Sequence, residues 1–249
     1  MAAVHENPLA QFTIERLVPI HIGGLDVSFT NSALLMTISG VLVTGLLMLA
    51  TRKAALVPGR WQSIPEMLYE FVAKYLIDDT VGPEGQRYFP FAFTLFMFVL
   101  LGNLLGLIPY SFVFTGQIIV CFGLSIAIFI GVTVIGFMRH GFRFLTFFVP
   151  HGVPKVLLVL LVPIEVLSYC IRPLTLSIRL FANMMAGHTM LVIFAGFVVP
   201  LGTLYFLPGL FPIVVDVLLF FLELLVAVLQ AYVFAILACL YLNDAIHLH

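Results

Sequence analysis

From Val156 to Val199 the chain is apolar for over forty residues, and Phe211 to Leu242 adds a second long apolar run. As a single helix rising ~1.5 Å per residue, the first run would be about 65 Å long and the second about 48 Å. The hydrocarbon of a bilayer is only ~30 Å thick. Neither helix can stand upright without projecting far into water, which its composition forbids. Tilt beyond the usual ~0–40° range is one solution, and a bend is the other, with Pro163 and Pro173 available as kinks. The expectation is a long, strongly inclined helical hairpin over residues 153–199 and 211–243, turning at Pro200 to Pro212. Steep inclination lets one helix lie along a neighbouring object in the membrane plane.

The rest of the chain agrees with a lipid environment. Of the 249 residues 62% are hydrophobic and only 9% are Asp, Glu, Lys or Arg, where soluble domains carry nearer ~25% charge. Such a chain cannot cover itself with a polar surface, which excludes a soluble enzyme and a disordered tail. A net charge of −1 leaves no basic surface to hold nucleic acid. Membrane strands alternate apolar and polar residues. The apolar runs here are continuous, so the class is an all-α integral membrane protein. Cys121, Cys170 and Cys239 lie inside such runs without CxxC spacing and read as buried small hydrophobes.

Charge is distributed unevenly, with fourteen of the 23 charged residues in the first 87 positions. Residues 1–30 form a polar head containing Pro8, Pro19 and a Gly23-Gly24 turn. They hold charges and no long apolar run, so no cleavable signal peptide is expected and the first span serves as insertion signal. That span covers 32–50 and ends at Thr51-Arg52-Lys53, with Arg60 close behind. Basic residues prefer the cytoplasmic side, which puts the N-terminus outside. Over 62–80, Ile64, Met67, Leu68, Phe71, Val72, Tyr75 and Leu76 recur at helical spacing, with Glu66, Glu70, Lys74 and Asp78 on the other face. This is the pattern of an amphipathic helix on the cytoplasmic surface. Upright spans follow at 88–108 and 118–138, and the second of these stops at the basic Arg139-His140-Gly141-Phe142-Arg143. One membrane domain, 31–249, results.

Ionisable groups inside membrane helices are costly, so each is a functional candidate. At about 100° per residue, Glu165, Arg172 and Arg179 share one face, and Asn183 lies within about 40° of Arg179. His188, nine residues beyond Arg179, faces the opposite way. On the second helix Asp216, Glu223, Gln230 and Asp244 are separated by multiples of seven and form one stripe. Guanidinium keeps its proton, so Arg179 is a fixed cation. His188 is placed to meet Glu223 across the hairpin, where imidazole and carboxylate can pass protons along a wetted path. Gln230 and Asn183 can hydrogen-bond water there without trapping the proton.

Plainer readings stand beside these. Arg172 can snorkel to the interface or pair with Glu165. Asp216 can complement a helix dipole near a helix start. Glu165 suits a structural pair or an aqueous vestibule equally, and Asp244, His247 and His249 read as solvated. For Arg179 the plain reading fails, because no carboxylate lies within four residues of it. Its counter-ion is either distant in this chain or in another subunit. His5, His21, His140 and His151 show no metal spacing, and no cofactor motif is present. Gly102 and Gly106 have helix-packing spacing, with Asn103 between them bonding within the bundle.

The run Leu176-Ser177-Ile178-Arg179-Leu180-Phe181-Ala182-Asn183-Met184-Met185-Ala186-Gly187-His188 resembles subunit a of the F-type ATP synthase, whose hallmark is Ser-x-x-Arg-Leu-Phe-x-Asn-Met-x-Ala-Gly. Asn103-Leu-Leu-Gly-Leu-Ile-Pro-Tyr110 and Leu229-Gln230-Ala231-Tyr232-Val233-Phe234 support it, and the resemblance runs from about residue 30 to the end. It implies a non-catalytic stator beside a rotating ring of c subunits, each with a buried carboxylate, together with b-type peripheral stalk subunits in a bacterial plasma (inner) membrane. A mitochondrial inner membrane is the other setting it allows. Protons enter one aqueous half-channel, neutralise a ring carboxylate, ride round and leave by a second. Arg179 matches the family's essential arginine. Asn183, His188, Glu223 and Gln230 match the outer half-channel, and Glu165 the inner. Arg172 and Asp216 are secondary candidates. Many bacterial relatives exchange the residue types at 188 and 223, so the order found here resembles the mitochondrial type. A secondary proton- or sodium-coupled transporter is the alternative, though no duplicated hydropathy pattern relates the two halves. A structural anchor would have no need of Arg179.

Overall fold

The computed structural model describes residues 12–19, 21–22, 25–26, 28–51, 59–108, 111–149, 154–204 and 206–247. The expected Gly23-Gly24 turn, the basic pair Arg52-Lys53, and His5, His151 and His249 lie outside these residues. Among the described residues, five helices are long and apolar enough to cross a membrane. The main elements are α1 (Asn31–Thr51), α2 (Arg60–Phe71), α3 (Phe89–Gly106), α4 (Ile118–His140), α5 (Lys155–Leu204) and α6 (Phe206–Ile246). A wider π-helical turn, Val72–Asp78, extends α2. Short 3-10 segments at Pro83–Tyr88 and Gly141–Phe148 lead into α3 and out of α4.

Two features depart from the sequence reading. The polar head contains two small antiparallel pairs, β1 (Arg16–Val18) with β4 (Phe29–Thr30) and β2 (His21–Ile22) with β3 (Leu25–Asp26). The hairpin turn expected at Pro200 to Pro212 is instead mostly helix, since α5 runs to Leu204 and α6 starts at Phe206. Proline is tolerated in a first helical turn because its missing N–H would have no partner there. Pro208 takes such a place, and Pro212 sits inside α6.

The start of α1 is written in side chains. At the head of α1, Ser32 N–H donates to Asn31 Oδ1 at 2.9 Å and Ala33 N–H donates to Thr30 Oγ1 at 3.3 Å, which satisfies amides that a helix start leaves free. Along α1 the hydroxyls of Thr37, Ser39 and Thr44 donate to carbonyls four residues back, at 2.8–2.9 Å. These three hydroxyls are thereby satisfied inside the helix, whereas the buried Ser32 Oγ at its start has no hydrogen-bond partner among the described residues.

The chain divides into two compact units, one of Met1–Lys53, Met97–Gln117 and Leu180–Tyr232, the other of Ala54–Phe96, Ile118–Arg179 and Val233–His249. In the first, the core gathers Val99, Val113, Phe114, Leu180, Met184, Ala227 and Ala231, all nearly free of solvent exposure. Gly102 and Gly106 serve this core, but by admitting the loop that follows α3. A Cβ on Gly102 would strike the Phe114 ring, and one on Gly106 would come within 2.9 Å of Val113. In the second unit the core holds Val72, Leu76, Ile77, Ala92, Phe96, Ile128, Phe144, Ala235, Ala238 and Leu242. The apolar stripe read along α2 is therefore split. Val72 and Leu76 are buried, whereas Ile64, Met67 and Tyr75 are exposed. Cys121 and Cys239 are buried as expected, while Cys170 is exposed.

Candidate functional site

In the first unit, α5 brings His188 and α6 brings Glu223 to one place. Imidazole Nε2 stands 3.6 Å from carboxylate Oε1, with side chains 9% and 3% exposed. Gly187 makes the approach possible, since a Cβ there would lie 2.7 Å from Glu223 Oε1. Neither Nε2 nor either Glu223 oxygen has a hydrogen-bond partner among the described residues. The backbone of Gly106 lies beside the His188 imidazole. At 3.6 Å the pair is just beyond a direct bond. A small side-chain movement or one water closes the gap, and buried polar groups of this kind require a partner. The arrangement can therefore pass a proton between nitrogen and oxygen.

Of the other two outer-side candidates, Gln230 is buried and Asn183 half-buried. Asn103, fully buried, donates from Nδ2 to the Ala227 carbonyl at 3.1 Å and ties α3 to α6 one helical turn beyond Glu223. Asp216 is half-buried, with one oxygen lacking a hydrogen-bond partner among the described residues. It does not cap a helix start. With α6 beginning at Phe206, Asp216 lies ten residues inside, so the dipole reading is corrected.

The second unit carries the arginines. Arg172 donates from Nη1 to Asp244 Oδ2 at 2.8 Å, and its guanidinium lies 5.0 Å from the Tyr241 ring, 5.3 Å from Tyr169 and 5.8 Å from Phe147. The expected Arg172–Glu165 pair is thus replaced by a partner on α6, and Asp244 is not merely solvated. A direct charge pair at this distance, framed by three aromatic faces, outweighs a carboxylate two helical turns away. Glu165 is half-buried, with no hydrogen bond or ion pair to another described side chain. The end of α6 is also held by His140, whose Nε2 donates to the Ile246 carbonyl at 2.9 Å.

Arg179 behaves differently. It is exposed, and its guanidinium makes no hydrogen bond or ion pair among the described residues. Thr175 and Ile178 are exposed beside it, as are Ala182 and Ala186 further along the helix. The side facing away from the core thus carries a fixed cation followed by small residues. Asp244, Gly187 and Phe12, which touches His188, were not legible as site residues, because each acts through a long-range contact and not through spacing on its own helix.

Long apolar helices carrying a buried imidazole–carboxylate pair and an exposed, unpaired arginine define a multi-pass helical membrane protein. Comparison with known proteins gives the family. A model of the ATP synthase A chain matches residues 33–243, and the chain belongs to that family. It is 52% identical over 246 residues to ATP synthase subunit a of Paramagnetospirillum magneticum, covering 98% of this chain and 99% of that one. It is 56% identical over 250 residues to subunit a of Mesorhizobium japonicum, covering 99% of each. With subunit a of Rhodospirillum rubrum it shares 53% over 243 residues, covering 98% of this chain and 99% of that protein.

Proposed function

We propose that this chain is the proton-channel stator, subunit a, of an F-type ATP synthase, and that its polar residues divide into one fixed charge and one proton relay. The observation that carries the reading is Arg179, an exposed guanidinium in a long apolar helix with no counter-ion among the described residues. A charge at lipid depth calls for a partner, and the partner is the acidic side chain of a passing c subunit. Because guanidinium keeps its proton, Arg179 favours the ionised form of that carboxylate as it arrives. The same charge obstructs proton leakage between the half-channels. Ala182 and Ala186 allow a neighbouring helix to come close.

His188, Glu223, Asn183 and Gln230 serve the half-channel open to the outer side, and Glu165 the one open to the inner side. Asp216 extends the acidic stripe of α6, and Arg172, paired with Asp244, steadies the far end of the hairpin. With 50 residues in α5 and 41 in α6, the helices are roughly 75 and 62 Å long. Those lengths support a steep inclination along the ring. Residues 31–249 act as one membrane domain, with the head outside, α2 at the inner surface, b-type stalk subunits alongside, and the bacterial inner membrane as the setting. No covalent step occurs in this chain.

The test is ATP-driven proton pumping by the assembled complex in vesicles. Arg179→Ala abolishes coupled pumping while the chain still assembles. Normal coupled pumping by that variant overturns the reading.

A further inference from the structure

His188 has a neighbour that the relay does not explain. The ring of Phe12, from the segment ahead of β1, meets the imidazole edge-on, with centroids 6.5 Å apart and planes at 85°. Phe12 is not there by loose contact. Gln117 donates from Nε2 to the Phe12 carbonyl at 2.6 Å. Gly116 leaves the space the ring uses, since a Cβ there would stand 2.7 Å from Phe12 Cε1. Just downstream the chain is pinned to the head of α1. Asn31 donates from Nδ2 to the Thr13 carbonyl at 3.1 Å, and its Oδ1 accepts from Glu15 N–H at 3.3 Å. The Asn31 amide in turn donates to the Glu15 carbonyl at 3.1 Å. Residues 12–15 thus form a strap, fastened at both ends, that presses one aromatic ring onto one imidazole.

The imidazole is constrained on its other sides as well. The backbone of Gly106 lies beside it, and Nε2 points toward Glu223 at 3.6 Å without a bond. A 3.6 Å gap holds the ring weakly, so rotation about the side-chain torsions would take Nε2 out of reach. An edge-to-face aromatic contact opposes that rotation.

We propose that Phe12 is a positioning residue for the proton relay: the strap formed by residues 12–15 holds its ring against His188 and keeps Nε2 directed at Glu223. The inference rests on the reading of His188 and Glu223 as relay groups. It gives the N-terminal segment a part in transport, whereas its composition suggested only a polar head.

The experiment uses the assembled complex in vesicles and follows the initial rate of ATP-driven acidification, normalised to the amount of this chain that copurifies with the complex. Phe12→Ala lowers the rate about two- to tenfold, the range set by the strength of one aromatic contact. Phe12→Tyr restores most of it, while Phe12→Leu does not, although leucine fills much of the space. Gln117→Leu leaves the ring in place but unfastened and lowers the rate in the same direction, so it carries the test even where alanine at 12 reduces assembly. In a Phe12→Ala, Gln117→Leu double variant the losses do not multiply. A wild-type rate in both single variants overturns the proposal, and so does rescue by leucine as complete as rescue by tyrosine. His188→Ala, run alongside, separates the two levels. If it pumps normally, the relay reading fails; if it is impaired while Phe12→Ala is not, only the strap fails.

Discussion

Gly187 lets α5 and α6 approach closely beside Glu223, and replacing it with alanine gives a graded test of the relay. The added Cβ would lie 2.7 Å from Glu223 Oε1, 2.9 Å from Cδ and 3.1 Å from Cγ. These distances are several tenths of an ångström inside ordinary contact. The atoms in the way belong to the free end of a flexible side chain, so the carboxylate moves and the helix backbone does not. The stability cost therefore stays at or below the ~1–3 kcal/mol of overpacking, and the complex assembles. Transport responds more steeply. The carboxylate is already 3.6 Å from His188 Nε2, and misplacement of a reacting group by ~1 Å costs on the order of a hundredfold in rate. Gly187→Ala accordingly lowers ATP-driven pumping by about tenfold or more. Glu223→Asp draws the carboxylate back by one methylene. Combined with Gly187→Ala it removes the clash, and the double variant pumps faster than the product of the single effects predicts. Wild-type pumping by Gly187→Ala, or strictly multiplicative losses in the pair, would refute the steric argument.

Other perturbations reach different parts of the fold. Exchanging the relay pair, His188→Glu with Glu223→His, keeps one imidazole and one carboxylate in contact, so the double variant pumps faster than either single change. Asp244→Asn and Arg172→Gln each lower the thermal stability of the purified complex. A double-mutant cycle gives a coupling of ~1–2 kcal/mol, between the values for exposed and buried pairs, because the two side chains are 20% and 32% exposed. Asn103→Leu loses the buried bond to Ala227 and costs about 1 kcal/mol, read as a lower midpoint of thermal inactivation.

What could be read from the chain was whatever depends on one helix at a time. The spans at 32–50, 88–108 and 118–138 fall within a few residues of α1, α3 and α4, because continuous apolar runs bounded by polar or basic residues leave little choice. His188 and Glu223 were paired from angular spacing, and the structure brings them to 3.6 Å. Contacts across long stretches of chain were hidden. Arg172 finds Asp244 72 residues away, and helical periodicity could offer only Glu165 on its own face. Asp216 was misread through the position of a helix start, which prolines near residue 208 obscured. Phe12 meets His188 through a loop glycine and a glutamine 105 residues downstream, and no local pattern encodes that meeting. The orphaned atoms on His188 and Glu223 are among the places where the chain departs from full polar satisfaction, which is what the proposed proton relay would require of them.

The most direct measurement asks what lies opposite Arg179. Ala182 is exposed on the same helix three residues further on, and a cysteine there would present its thiol on the face that carries the guanidinium. Cys121, Cys170 and Cys239 are first replaced, Cys170 above all because it is exposed. Oxidation in the assembled complex is then tested against cysteines placed one by one along the c-subunit helix. Disulfides require Cα atoms within ~7 Å. Cross-links from Ala182→Cys to positions within one helical turn of the ring's acidic residue are the predicted result. Efficient cross-linking only to other subunits, or only to ring positions remote from that acid, would contradict the assignment of Arg179 as the stator charge.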